Sequence, residues 1–191
     1  MSYAKIIGRN KEINILDRIY KSKKSELVAI YGRRRVGKSY LVSECFGKKI
    51  LFKAVGTYIK DGDKDYESYR QLQLAHFYDS LVIAGLSTKE SKPTCWREAF
   101  LLLRKVLEGK RNRRKIIFID ELPWLAGPQS SEMIAELKVD CQLSRTRCGS
   151  LIVPGCSSTP PGAAPLAKNF APYSSQAIAM PMAFFAIAMG L

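Results

Sequence analysis

Histidine is almost absent from this sequence, and its cysteines lack the spacing of metal sites. The 191 residues include one histidine, His76, and five cysteines, none of them in a Cys-x-x-Cys pair. Structural zinc sites are built from cysteine and histidine at short, regular spacings. We therefore expect no zinc site. An odd number of unpaired cysteines instead favours reduced, buried thiols, as in cytoplasmic proteins.

Negative charge is also scarce. The chain carries 31 lysines and arginines against 17 aspartates and glutamates, which gives a formal net charge of +14. This excess favours anionic partners, but it does not choose among a nucleotide, a nucleic acid and a membrane surface. Charge of either sign nearly disappears towards the C-terminus, where Lys168 is the only charged side chain after Ser150.

Long hydrophobic runs are missing as well. The first ten residues contain no apolar stretch of the kind that secretory signal peptides have. An apolar run of 15 residues occupies positions 177–191, but Pro181 interrupts it. A membrane-spanning helix needs about 20 predominantly apolar residues. We therefore expect a cytoplasmic protein, and membrane attachment is disfavoured.

Residues 32–39 read Gly-Arg-Arg-Arg-Val-Gly-Lys-Ser and fit the phosphate-binding pattern G-x-x-x-x-G-K-[ST]. Residues 26–31 before them have the composition of a strand, and residues 39–46 after them that of a helix. In this setting the glycines let backbone N–H groups surround phosphate oxygens at the positive end of the helix dipole. Lys38 is then predicted to reach the β- and γ-phosphates, and the Ser39 hydroxyl to bind Mg²⁺. A glycine turn beside a solvated basic run would leave this spacing unexplained.

A second strongly apolar stretch, residues 115–121, ends in two acids, Asp120 and Glu121. A parallel strand lying beside the first would bring Asp120 to the metal at its carboxyl end. Glu121 could polarise an attacking water, as general-base catalysis requires. A core strand followed by a polar turn is the alternative. The presence of the phosphate-loop motif favours the metal-and-base interpretation.

Three segments together resemble the prokaryotic P-loop ATPases of the AAA-like and STAND-related group, which includes the archaeal-type ATPases. They are Ile7-Gly8-Arg9, Tyr31–Ser39 and Phe118–Trp124. The resemblance covers about residues 3–127. It implies an α/β fold in which a P-loop core has a parallel sheet flanked by helices, and it places the first segment near the adenine.

The candidate site follows from the motifs and from this resemblance. The residues predicted to bind the nucleotide are Gly8, Arg9, Gly32, Arg33, Arg34, Arg35, Val36, Gly37, Lys38, Ser39 and Tyr40. Ser39 and Asp120 are the predicted magnesium ligands, and Lys38 and Glu121 are the predicted catalytic residues. ATP and Mg²⁺ are the expected cofactors.

Three helices and one further strand are predicted around the motifs. Residues 10–23 form an amphipathic pattern that Asn10 could cap, and residues 50–55 have the composition of a core strand. Residues 66–84 and 94–108 are predicted to be longer helices. Their expected buried positions are Leu74, Phe77, Tyr78 and Leu81 in the first, and Trp96, Phe100, Leu103 and Leu107 in the second.

The chain changes character after the second motif. We expect a P-loop domain over residues 1–127, an uncertain extension of its core over 128–153, and a tail rich in proline and alanine over 154–191. Members of the resembled group continue with a sensor strand and a helical lid, and neither can be matched here. The core is therefore expected to be incomplete at its C-terminal end. A reading-frame shift or a fusion after about residue 127 would explain the change, and a divergent, membrane-associating tail is the alternative.

The sequence thus predicts Mg²⁺-dependent ATP binding, with ATP hydrolysis as the activity of the group but weak or absent in this chain. A basic nucleic-acid-binding module regulated by nucleotide is one alternative. A remnant that binds nucleotide without hydrolysing it is another. Another protein or a second copy of this chain could be a partner, since such ATPases often receive an arginine from a neighbour.

Overall fold

The computed structural model describes residues 6–22, 26–32, 35–58, 65–110, 115–126, 132–137, 150–154 and 176–179. In these ranges helices and strands alternate along most of the chain. They are α1 (Asn10–Lys21), β1 (Glu26–Tyr31), α2 (Lys38–Phe46), a 3₁₀ turn (Gly47–Lys49), β2 (Ile50–Val55), α3 (Tyr66–Ile83), α4 (Trp96–Glu108), β3 (Ile116–Asp120), α5 (Leu122–Ala126), α6 (residues 132–137), β4 (Ser150–Pro154) and β5 (Gln176–Ala179).

The strands form one parallel five-stranded sheet in the order β2-β3-β4-β1-β5. This arrangement confirms the predicted α/β class. The expectation that the acid-bearing strand lies directly beside the strand of the phosphate loop is wrong, because β4 separates β3 from β1. β4 and β5 were not predicted, since each is only four or five residues long and both lie in the proline-rich part of the sequence.

Apolar side chains of β3 are buried on both faces of the sheet. Ile117 and Ile119 belong to a core cluster with α3, α4 and α6, whereas Ile116 and Phe118 belong to a second cluster with α1 and α2. Burial on both faces explains why this strand is continuously apolar, as is usual in parallel sheets. Helices therefore cover both faces of the sheet. The two motifs follow the carboxyl ends of β1 and β3, at the edge that the helices do not cover.

The two long helices agree with the sequence pattern. All eight positions predicted to be buried in α3 and α4 are buried, and Trp96 is only 1% exposed in the core. Asp65 caps α3 by accepting a hydrogen bond from the Ser68 N–H at 2.7 Å, and this bond lowers the pKa of Asp65. Both helices could be predicted because each segment has a regular apolar stripe and a residue pattern typical of a helix end.

Helix α1 differs in its cap. Asn10 is the first helical residue and Arg9 occupies the N-cap position without a side-chain capping bond, so the prediction that Asn10 caps the helix is wrong. The helix also ends at Lys21, two residues before the predicted boundary. The side chain of Arg9 is used elsewhere, as described below.

Both described cysteines, Cys45 and Cys95, are free thiols, and Cys95 is half-buried. Cys45 is buried, and burial raises the pKa of its thiol to about 11. Across the described ranges no helix is long and apolar enough to cross a bilayer, and no three potential ligands among His, Cys, Asp and Glu cluster as a metal site. The predicted boundaries at 127 and 153 border segments that lie mostly outside the described residues.

Candidate nucleotide-binding site

The loop between β1 and α2 turns through backbone conformations that favour glycine. Gly32 has φ +154° and Gly37 has φ +81°, and Gly37 forms the N-cap of α2. Arg35 is also left-handed, with φ +62°. A non-glycine residue in this region is uncommon and is held there by its surroundings. The loop therefore keeps a tight curve directly in front of a helix N-terminus.

Lys38 connects the two ends of this loop. Its side chain is buried, and its Nζ donates a hydrogen bond to the backbone oxygen of Gly32 at 2.9 Å. A buried lysine needs such partners, because an isolated ammonium group is costly to remove from water. The positive charge consequently lies within the curve of the loop, where a phosphate group would be neutralised.

The acidic turn after β3 has two unusual features. Glu121 has a left-handed backbone, with φ +50°, and its N–H donates a hydrogen bond to Oδ1 of Asp120 at 3.0 Å. Its Oε2 atom is buried and has no hydrogen-bond partner within the described part of the chain. Backbone strain and unsatisfied buried polar atoms are both concentrated at functional sites.

One cavity of about 600 Å³ joins the loop to this acidic turn. Its lining residues are Arg35, Gly37, Lys38, Ser39, Tyr40 and Glu121. The volume lies within the range of small-molecule sites, which is about 300–1,000 Å³. Residues more than 80 positions apart in sequence therefore meet at one concave, cation-bearing site.

The match to known proteins now decides the family. Residues 6–150 match the model of an ATPase domain that occurs predominantly in Archaea, which is well over half of the chain. The chain belongs to this ATPase-domain family. The match also corrects the expected limit of the resemblance, because it continues beyond residue 127 to residue 150.

Individual relatives agree with this assignment. An uncharacterised ATP-binding protein of Methanocaldococcus jannaschii is 35% identical over 48 residues, which are 25% of this chain and 81% of that protein. The Walker-type ATPase of Pyrococcus abyssi aligns with a TM-score of 0.50 and 18% identity, over 78% of this chain and 45% of that one. The Orc1 protein of Aeropyrum pernix, solved in complex with DNA, aligns with a TM-score of 0.58 and 14% identity, over 95% of this chain and 47% of that one. The chain spans less than half of each of these two solved chains, and at such identities they show the fold alone.

Most of the predicted site residues of this ATPase domain fall in or around the cavity. Besides the six lining residues, Gly32 accepts the Lys38 bond and Asp120 accepts the Glu121 N–H. Gly8 is exposed, with φ +77°. Arg33 and Arg34 lie outside the described residues.

Val36 and Arg9 meet each other instead of lining the cavity. Both side chains are buried, and the Arg9 guanidinium donates a hydrogen bond to the Val36 backbone oxygen at 3.2 Å. Whether either residue contacts a nucleotide stays a prediction.

Gly56 is a site-forming residue that sequence reasoning missed. Its N–H donates to the Asp120 backbone oxygen at 2.9 Å, just after β2 ends. A Cβ atom at this position would lie 2.3 Å from the Glu121 backbone oxygen and 2.4 Å from the Leu125 nitrogen. Only glycine allows β2 and the acidic turn to approach this closely. A glycine directly after a predicted strand was the available signal.

Helix α3 and the segment after β2 contact α5, which directly follows the acidic turn. The Tyr69 hydroxyl donates to the Trp124 backbone oxygen, and the Tyr58 ring packs edge-on against the Trp124 ring with centroids 4.5 Å apart. Gln73 bonds both the N–H and the backbone oxygen of Thr57. Through α5, the acidic turn of the ATPase domain is therefore connected to α3 and to the segment after β2.

Ser39 and Asp120 are the residues that could hold a magnesium ion. Both offer hard oxygen donors, which magnesium prefers, and magnesium in nucleotide sites keeps several water and phosphate oxygens as ligands.

Proposed function

We propose that this ATPase domain binds ATP together with Mg²⁺ in the cavity between the phosphate loop and the acidic turn. The observation that carries the proposal is that Lys38, Ser39 and Glu121 line one cavity. The family match and the ATP-binding relative support the same ligand. The excess positive charge of the chain also favours a polyanionic ligand.

Each side chain would have a separate task in binding. The Lys38 ammonium would exchange the Gly32 oxygen for phosphate oxygens. Backbone N–H groups at the start of α2 would bind phosphate at the positive end of the helix dipole. Ser39 and Asp120 would hold the magnesium ion, which supplies further neutralisation of phosphate charge when it is bound.

Glu121 is the residue we assign to hydrolysis. Its Oε2 is buried and has no partner in the part of the chain that the structure describes, so it can accept a hydrogen bond from a water molecule in the cavity. A water oriented in this way would be the nucleophile that attacks the terminal phosphate. Glu121 would then be dispensable for binding and required for turnover.

We further propose that hydrolysis by this chain alone is weak or absent. Related phosphoryl-transfer enzymes gain about 10³–10⁵ in rate from an arginine that stabilises the transition state. Within the described ranges Arg35 is the one arginine that lines the cavity, and it belongs to the loop itself. An arginine from a second subunit would supply the positive charge that stabilises the transition state.

Equilibrium titration with fluorescent ATP, with and without Mg²⁺, tests the proposal. Wild-type protein should bind ATP more tightly when Mg²⁺ is present, and Lys38→Ala should lose measurable binding. Far-UV circular dichroism of the variant is needed in parallel, because the change also removes the bond to Gly32. An unchanged affinity of folded Lys38→Ala would contradict the assignment of the phosphate loop.

Nucleic-acid binding is a second candidate, and the net charge of +14 is the observation that favours it. The Orc1 protein that shares the fold was solved with DNA. Affinity for a nucleic acid that rests on phosphate contacts falls steeply between about 50 and 200 mM salt. A titration of duplex DNA across this range should show that steep loss if the basic surface binds the backbone, and a flat or absent signal would reject this function.

A further inference from the structure

Arg9 makes a buried contact with the phosphate loop that the motifs did not predict. Its side chain is 2% exposed, and one guanidinium nitrogen donates to the Val36 backbone oxygen at 3.2 Å. The other terminal nitrogen donates to Oε1 of Glu12, also at 3.2 Å. The contact joins the segment before α1 to a loop residue 27 positions later in the sequence.

Val36 and Gly37 share the peptide bond that this contact fixes. In a planar trans peptide the C=O and the following N–H point in opposite directions. Holding the Val36 oxygen towards Arg9 therefore turns the Gly37 N–H to the other side of the peptide plane. Gly37 lines the cavity, and its N–H belongs to the positive end of α2.

The peptide before Gly37 needs such a restraint. Glycine adopts left- and right-handed conformations with similar ease, so a loop that ends in glycine can flip this peptide at little cost. The Gly37 φ of +81° is one of these options. A flipped peptide would point an oxygen instead of an N–H at an incoming phosphate.

We propose that Arg9 is a positioning residue that holds the phosphate loop in its binding conformation before nucleotide binds, by fixing the direction of the Gly37 N–H. This inference rests on the proposed ATP binding and adds how the loop is prepared for it. Two buried cations then act at the two ends of the loop. Lys38 holds the Gly32 oxygen at the start, and Arg9 holds the Val36 oxygen at the end.

Glu12 makes the Arg9 contact specific. The carboxylate and the Val36 oxygen are both engaged by one planar guanidinium fork, whereas the single ammonium of a lysine could not reach both with the same geometry. The carboxylate also compensates the buried arginine charge, since Glu12 is itself 9% exposed. The Arg9 side chain is therefore held in place by Glu12 and by the loop before any ligand binds.

Selective labelling can observe this peptide directly. The sequence contains two Val-Gly pairs, Val36-Gly37 and Val55-Gly56. Carbonyl-¹³C valine with ¹⁵N glycine therefore selects two amide resonances, and Gly56 serves as an internal control. In nucleotide-free wild type the Gly37 resonance should be single and sharp.

The variants are chosen so that no buried charge is left without a partner. Arg9→Met/Glu12→Leu removes both members of the pair, and Arg9→Lys keeps the charge but loses the fork. Lys11→Met removes one exposed positive charge nearby and is the matched control. In both Arg9 variants the Gly37 resonance should broaden or split while Gly56 stays unchanged, and the ATP affinity should fall about tenfold or more. Lys11→Met should behave like wild type in both measurements.

The outcomes separate the possible explanations. A sharp, unshifted Gly37 resonance in the folded variants, or an unchanged ATP affinity, overturns the proposal. If the double variant does not fold, Arg9→Lys decides by the same two measurements. If wild type fails to bind ATP, the proposed function is wrong, and the Gly37 resonance still reports separately on the Arg9 contact.

Discussion

At the scale of single residues, the two acids after β3 have different environments. Asp120 accepts the Glu121 N–H through Oδ1, so one of its oxygens is already occupied by the turn. Glu121 lines the cavity and presents a buried oxygen that has no hydrogen-bond partner among the described residues. Asp120 can thus serve both the turn and a metal, whereas Glu121 is poised towards the cavity itself.

Glu121→Gln should leave ATP affinity near the wild-type value and remove any hydrolysis. The amide has the same shape as the carboxylate, but it cannot act as a general base. Asp120→Asn should weaken ATP binding only when Mg²⁺ is present, because it replaces the charged residue that we propose as a metal ligand. Titrations with and without Mg²⁺, together with a phosphate-release assay, distinguish the two variants. Identical behaviour of both would refute this division of roles.

Residue positions in the motifs could be predicted, but their partners could not. The spacing of Lys38 and Ser39 follows from one local pattern, and the cavity brings both together with Glu121. The contact between Arg9 and the loop could not be predicted from a local pattern, since the resemblance only placed the Arg9 segment near the adenine. The Val36 oxygen was not foreseeable, because backbone groups have no sequence signature.

At the scale of elements, the end of β2 and the acidic turn are in close backbone contact at Gly56. The space there is too small for a side chain, so the first residues after β2 pack directly against the turn and α5. The edge-on packing of Tyr58 on Trp124 and the bond from Tyr69 add further contacts to this unit. The left-handed backbone of Glu121 is therefore held from two directions.

Gly56→Ala should destabilise the protein by about 1–3 kcal/mol, because the methyl group would overlap backbone atoms of the turn. Urea unfolding measures this loss, and Mg·ATP titration should show weaker binding since Asp120 and Glu121 are displaced. Gly109→Ala is the matched control. A Cβ there would meet its nearest atoms at an ordinary 3.6 Å, and stability should rise by about 0.4–1 kcal/mol through the unfolded state. Equal effects of the two substitutions would show that the contact at Gly56 is not restrictive.

Elements with a long periodic pattern were predictable, and short ones were not. Helices α3 and α4 have 18 and 13 residues, so the apolar stripe repeats over several turns. Strand β4 has five residues and ends in proline. Its role depends on pairing with β1 and β3, which lie far away in the sequence, and no local feature encodes such pairing.

At the scale of the whole molecule, the phosphate loop and the acidic turn belong to strands that are not neighbours. Each motif follows a single strand, β1 or β3. The cavity forms only when β4 pairs with both strands and brings the two motifs into one sheet. Under the proposed function, binding and turnover therefore have different requirements, because binding would need this cavity and fast turnover would need a further positive charge.

Purified protein should hydrolyse ATP well below the order of 1 per second, which is the lower end of the usual range for enzymes. The physical reason is that Arg35, which belongs to the phosphate loop itself, is the one arginine lining the cavity within the described ranges. Phosphate release at a series of protein concentrations measures this. Turnover at or above 1 per second and independent of concentration would contradict the prediction, whereas a rise with concentration would indicate an arginine supplied by a second copy.

The residues after the family match remain open to a test at the level of the gene. The match runs to residue 150, and charge nearly disappears from the same point onwards. We predict that another forward reading frame of the encoding DNA, translated from this region, continues the family with a helix and a sensor-bearing strand. Finding no such sequence would favour the divergent tail. Strands β4 and β5 show that part of this region is placed in the sheet in either case.

The position of β4 also has a consequence for the order in which the protein assembles during synthesis. When the first 127 residues have emerged from the ribosome, β2 and β3 can already pair, but β1 has neither of its two neighbours. Five residues that emerge later must insert between these halves before the sheet becomes continuous. Because such distant pairing is slow, the nascent chain carries both ATPase motifs for some time without a finished site. We therefore expect nucleotide to bind only late in synthesis. Its binding would show that β4 has paired with β1 and β3.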